Sequence, residues 1–288
     1  MCTLAPAPEA PKAPTAPSPL AAAYDRLAEV LPSLRVTEVR GTGDLPRGGG
    51  WVRSAELAEG GAVLDAFLAW DDEQVRRDYG QRARPDVVAG FGLHRYAWSV
   101  CLLMTLPWFL HRRVPRVPVG SVAYDRASGR LAVHAAEFSC LPGDPAAALP
   151  GARVVQGEEA LRAAVREAVA EHLGPVLEAF GPRMRRGPRA LWGMATDEIT
   201  EGLWYVGHLL GEERRAMAEA ELLLPGSVAP FPRGAAFREL SGPDGERYPT
   251  RDRASCCMFY TLRPQDTCVT CPRTCDADRV ERLSAARA

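Results

Sequence analysis

The sequence predicts an α+β protein, predominantly helical, with a small antiparallel sheet and a loop-rich C-terminal segment. Three observations lead there. Apolar residues recur at helical spacing in long blocks after residue 60. Short β-type runs bounded by Gly, Pro and Ser lie before residue 136, and past residue 240 cysteines and turn residues replace any periodicity.

In chain order, residues 1–19 alternate Ala and Pro with few apolar anchors, too little to offset the entropy of ordering, and are expected to be disordered. Leu20 to Leu31 reads as a helix stopped by Pro32, and Leu34 to Arg40 as a strand. Gly41-Thr-Gly43-Asp-Leu-Pro46 puts proline where a dinucleotide fingerprint needs its third glycine, so it reads as a turn. Gly48-Gly-Gly50 lacks the Lys-Ser/Thr of a phosphate-cradling loop. Val63, Leu64, Phe67, Leu68 and Val75 give a helix over 61–79, and Pro85 suits the first turn of a helix running from Asp86 to about Leu106. The apolar stretch Ala97 to Leu110 is too short to span a membrane and reads as a core helix. Val117 to Tyr124 and Arg130 to Ala135 flank a hairpin loop at Ala127-Ser-Gly129, and with 34–40 and 51–53 they would form the sheet.

The Pro/Gly/Ala connector 141–151 suggests a boundary, giving an N-terminal α+β region at 20–150, a helical region at 151–240 and a C-terminal segment at 241–288. Glu158 to Phe180 carries an apolar stripe interrupted at Gly174-Pro175. Arg183, Arg185, Arg186 and Arg189 follow in a loop, and a second helical pattern runs from Leu191 through Met217 to Leu224.

With 47% hydrophobic and 25% charged residues, the 288-residue chain has the composition of a soluble globular protein. A net charge of −1 gives no electrostatic footprint for nucleic acid. No basic and apolar leader opens the chain, which points to a cytoplasmic, reducing environment.

The chemistry concentrates in Cys256-Cys257, a ten-residue spacer, Cys268-Val-Thr-Cys271 and Pro272. A disulfide framework fits poorly, because adjacent Cα atoms about 3.8 Å apart fall below the roughly 4.4–6.8 Å of ordinary bridges. Zinc is served by Cys268-x-x-Cys271, but the other half lacks the spacing of a knuckle. A [2Fe–2S] rhomb needs two thiolates on each iron from a loop that wraps it, and the spacer is long enough to fold back.

This array resembles the C-terminal motif of the FhuF-type ferric-siderophore reductases. Weaker similarity lies in Leu191-Trp192-Gly193-Met194-Ala195 and around Gly92-Leu-His94-Arg95-Tyr96. The resemblance implies that Cys256, Cys257, Cys268 and Cys271 ligate a [2Fe–2S] cluster carried by 241–288; Cys275 lies outside that pattern and could replace one of them. It implies an enzyme that passes one electron to a ferric siderophore of hydroxamate type, releasing Fe(II). His94, Arg95, Trp98, Arg189 and Trp192 are the expected substrate contacts. The sequence has no nicotinamide or flavin motif, so the electron donor would be a ferredoxin, a flavodoxin or a flavin-dependent reductase. The alternatives are an iron–sulfur redox sensor or binding module, and a zinc-stabilised ligand-binding protein.

Overall fold

Helix and strand signals alternate early in the chain and yield α1 (Ala21–Val30), β1 (Arg35–Glu38), β2 (Val52–Arg53) and the short α2 (Ser54–Glu59). The computed structural model describes residues 18–285 except Asp244 and Asp266, so the tail expectation falls, up to residue 17, outside the described residues. Two long helices follow, α3 (Gly61–Tyr79) and α4 (Pro85–His111), then β3 (Arg113–Arg116), β4 (Val122–Asp125), β5 (Arg130–Val133), β6 (Glu137–Cys140) and β7 (Ala152–Val154). The second half holds α5 (Glu158–Met184), α6 (Pro188–Leu209), α7 (Glu213–Leu223), the hairpin β8 (Phe237–Ser241) and β9 (Arg247–Arg251), and α8 (Asp276–Ala285).

α4 is the centre of the core. It is buried along nearly its whole length from Val87 to Phe109 and packs against α1, α3, α5 and α6. It is long and apolar enough to cross a membrane, yet 78% of its most apolar window is covered by the rest of the protein, as befits a core helix. The helix was expected to end near Leu106, but it continues through Pro107 to His111. Proline at that position cannot donate to the carbonyl four residues back. That carbonyl belongs to Leu103 and accepts a hydrogen bond from the Tyr24 hydroxyl of α1 at 3.0 Å. A buried acceptor thus finds its donor in another helix, and the kink residue is tolerated.

The expected sheet forms in the order β1-β5-β4-β2. β4–β5 and β2–β4 are antiparallel, but β1 runs parallel to β5 with Arg35 opposite Arg130 and Glu38 opposite Val133. Parallel neighbours need a long crossover, which α3 and α4 provide. Two further pairings escaped the sequence reading: a three-stranded sheet β3-β6-β7, in which 152–154 closes the connector back onto 137–140, and the β8–β9 hairpin.

Helix α5 runs unbroken through Pro175 and Pro182, whereas the pattern from Leu191 onward divides into α6 and α7. The division falls at Gly211, whose φ of +73° suits glycine. The two helices then close tightly: a Cβ on Gly207 would come within 2.2 Å of the Ala216 Cβ. One apolar core takes in residues from Leu20 to Ala235, so α4, α5 and α6 share it.

Within that core His172 is fully buried; its Nδ1 donates to the Val117 carbonyl at 2.7 Å and its Nε2 accepts from the Tyr96 hydroxyl at 2.7 Å. A carbonyl can only accept, so the ring is held neutral with its proton on Nδ1. Burial pushes its pKa down to about 4. A depressed folded-state pKa confers stability that is present above the unfolded value of about 6.5 and lost as pH falls towards the folded value. The protein should therefore lose on the order of 3 kcal/mol between pH 7 and pH 4 from this residue alone. Urea titrations of the cluster-free protein followed by circular dichroism should show that slope, and His172→Gln should reduce it.

Candidate cluster-binding site

The segment between β9 and α8 has little regular structure of its own and takes its shape from contacts with the helical body. Its main anchor is Asp197 on α6, a carboxylate with no solvent exposure. Asp197 Oδ1 accepts from Arg251 Nη2 at 2.5 Å and from the Ala254 amide at 2.8 Å, while Oδ2 accepts from the Ser255 amide at 2.8 Å. Arg253 Nε lies 3.6 Å from the same Oδ2. One side chain thus fixes the backbone immediately before Cys256 and neutralises two buried guanidinium groups.

Other contacts hold the loop on either side. Arg186 Nη1 donates to Ser255 Oγ at 2.9 Å and its Nη2 to the Cys256 carbonyl at 2.7 Å. Gln81 Nε2 donates to the Leu262 carbonyl at 2.6 Å, and Phe259 meets Tyr79 edge to face, with ring centroids 5.8 Å apart. Buried Arg279 of α8 donates to the Cys271 carbonyl at 3.0 Å and to Asp252 at 3.1 Å. The approach to α6 is close: a Cβ on Gly193 would lie 3.4 Å from the Ala254 carbonyl oxygen. This gives the Leu-Trp-Gly segment a physical reason, since a long side chain at 193 would push the loop away.

The turn places the four thiols in a ring of electrostatic neighbours. Cys256 interacts with Cys257 and Cys271, and Cys268 with Cys257 and Cys271. Met258, in the left-handed region at φ +65°, turns the chain just after the adjacent pair and lets both cysteines serve one site. The Cys268 thiol donates a hydrogen bond to Cys257, which with Arg253 and His94 nearby lowers Cys257 to about 5 against the opposing effect of burial. The same bond and burial push Cys268 up, and burial raises Cys256. Among the described residues no three His, Cys, Asp or Glu side chains converge on a single-ion site. Four thiols that influence one another pairwise, with cationic Arg253 close by, are a donor set that fits two irons sharing two sulfides.

The expected substrate residues do not form one wall. His94 lies near Cys257: its Nδ1 is 2.7 Å from buried Glu198, which raises its pKa, and it also feels Arg253 and Cys257. The ring still reaches solvent, with 37% of its side chain exposed. Trp192 packs edge to face on Phe231 beside Gly193, and Arg189 is exposed one turn earlier on α6. Arg95 pairs with Asp71 at 3.4 Å and Asp78 at 3.9 Å, and Trp98 meets Tyr205 at 5.9 Å between ring centroids. Cys275 is exposed at the start of α8, its carbonyl accepting from the Arg279 amide. Asp197, Arg251, Arg253 and Arg279 were not expected from sequence; only their incompatibility with burial as lone charges could have flagged them.

Residues 253–273 match the family model described as the FhuF 2Fe-2S C-terminal domain. The match begins at Arg253 and includes all four cysteines of the ring, so among the three thiol chemistries the cofactor is a [2Fe–2S] cluster. Cys275 lies outside the matched residues. The chain has no significant match to a curated protein.

Proposed function

We propose that this protein is a cytoplasmic ferric-siderophore reductase acting on hydroxamate-type chelates. The observation that supports this reading most is the four-thiol ring inside the matched segment, lodged against a helical body that holds it by buried charges. When bound, the [2Fe–2S] cluster supplies one electron at a time. Ferric iron held by hard oxygen donors takes that electron and becomes Fe(II), a less charged ion that those oxygens hold weakly. The freed hydroxamates take up protons from water, and the electron is replaced by a ferredoxin, a flavodoxin or a flavin-dependent reductase.

The protein's own residues hold the cofactor and shape its surroundings. Cys256, Cys257, Cys268 and Cys271 are the ligands. Arg253 offsets thiolate charge, and His94, its pKa raised by Glu198, stands near Cys257, which bears on the cluster potential. Glu198 holds the His94 ring through Nδ1 and favours its charged form. Substrate contact is assigned to Trp192, with Arg189 exposed one turn before it and His94 near Cys257, whereas Arg95 and Trp98 are engaged with Asp71 and Tyr205.

The reaction is checked by supplying reduced protein with ferric chelates and an Fe(II)-trapping dye. A neutral ferric tris-hydroxamate should be reduced about tenfold faster than a tris-catecholate, a barrier difference of about 1.4 kcal/mol. Equal and negligible rates with both would favour the redox-sensor reading.

A further inference from the structure

A cavity of about 590 Å³ opens where the end of α5 turns into α6. Its walls are apolar: Leu177, Pro182, Leu191 and Trp192, with Gly174 and Gly181 leaving the space. It falls within the roughly 300–1,000 Å³ typical of small-molecule sites. Its wall touches the cluster loop at two places. Arg186 lines the cavity and donates to Ser255 Oγ and to the carbonyl of Cys256. Trp192 lines it too, and the next residue, Gly193, abuts the Ala254 carbonyl.

We infer that this cavity is the seat of the ferric chelate, a reading that rests on the proposed reductase function and locates its substrate. The charge balance selects the occupant. Arg186 donates only to neutral partners and keeps its charge, so with exposed Arg185 and Glu178 the lining carries a net charge of about +1. Two bases and one acid around apolar walls suit a chelate of zero or small net charge with aliphatic arms. Three hydroxamates cancel the charge of Fe(III), whereas three catecholates leave a trianion that this lining does not neutralise. The occupant is therefore a neutral tris-hydroxamate, separated from the Cys256 backbone by the Arg186 side chain.

Gallium(III) separates binding from electron transfer, because it has the charge and oxygen coordination of Fe(III) but does not accept the electron. Calorimetric titration of the oxidised holoprotein with the gallium(III) complex of a linear tris-hydroxamate should show binding, weakened at least about tenfold by Gly174→Leu, or 1.4 kcal/mol. A Cβ at Gly174 lies 3.9 Å from Trp192 Cζ2, an ordinary contact, so the added side chain fills the cavity at low cost to the fold. An unchanged visible spectrum checks that the cluster is retained. Ala66→Leu, which fills the separate cavity of about 480 Å³ beside Trp51 and Trp70, should leave binding unchanged. Undiminished binding in Gly174→Leu, or a loss confined to Ala66→Leu, would overturn the assignment even if the protein reduces the ferric complex. Gallium binding that Gly174→Leu abolishes, without any reduction of the ferric complex, would uphold the seat and reject the reductase.

Discussion

Replacing Cys257 by Ser removes the [2Fe–2S] cluster: the purified protein is colourless, iron and sulfide fall to background, and no ferric chelate is reduced. The same loss is expected at Cys256, Cys268 and Cys271, because each is one of the four thiols the matched segment brings together. Cys257 is the most sensitive position, since Cys268, Arg253 and His94 all act to keep it a thiolate, the form that binds iron. Cys275→Ser supplies the contrast. That cysteine is exposed and lies beyond the matched residues, so its loss should leave iron content and the visible spectrum intact. Iron and sulfide analysis with visible spectra of the five variants checks both statements together.

The second large effect belongs to a residue that binds no metal. Asp197→Ala strips the carboxylate from fully buried Arg251 and from Arg253, and leaves the amides of Ala254 and Ser255 without their acceptor. Breaking a buried pair by deleting one partner typically costs about 3–5 kcal/mol, a large share of the 5–15 kcal/mol by which domains are stable. Because the freed backbone leads directly into Cys256, the expected result is detachment of the loop as well as destabilisation. Asp197→Asn should be milder, since it retains an acceptor for one amide but not the charge that balances two arginines. Urea midpoints of the cluster-free proteins report the stability loss. Iron retention during dialysis against a chelator reports loop detachment.

The thiol array could be read from sequence because its information is local: four like side chains at fixed spacing within 16 residues define a donor set whatever surrounds them. Helices α1, α3 and α5 were legible for a similar reason, as their apolar positions repeat along one stretch of chain. What failed depended on distant partners. The end of the helix that starts at Pro85 was placed near Leu106, five residues short, because nothing local reveals that Tyr24 supplies a donor to the Leu103 carbonyl that Pro107 leaves free. β1 was placed in an antiparallel sheet because strand patterns do not encode direction. Nothing in the sequence around Asp197 sets it apart from other charges on a helix. Only its meeting with Arg251 and residues 253–255, more than 50 positions later, makes it the foundation of the site. Arg186, read as one of four arginines in a loop, proves to hold the Cys256 carbonyl.

Single-turnover mixing tests the central claim most directly. Protein reduced anaerobically to one electron per cluster is mixed with a ferric tris-hydroxamate and an Fe(II)-trapping dye, while the visible spectrum of the cluster and the dye complex are followed together. The account predicts that the oxidised cluster spectrum returns as Fe(II) appears, one Fe(II) for each cluster reoxidised. A reduced cluster that persists unchanged in the presence of excess ferric chelate, with no Fe(II) trapped, would contradict it.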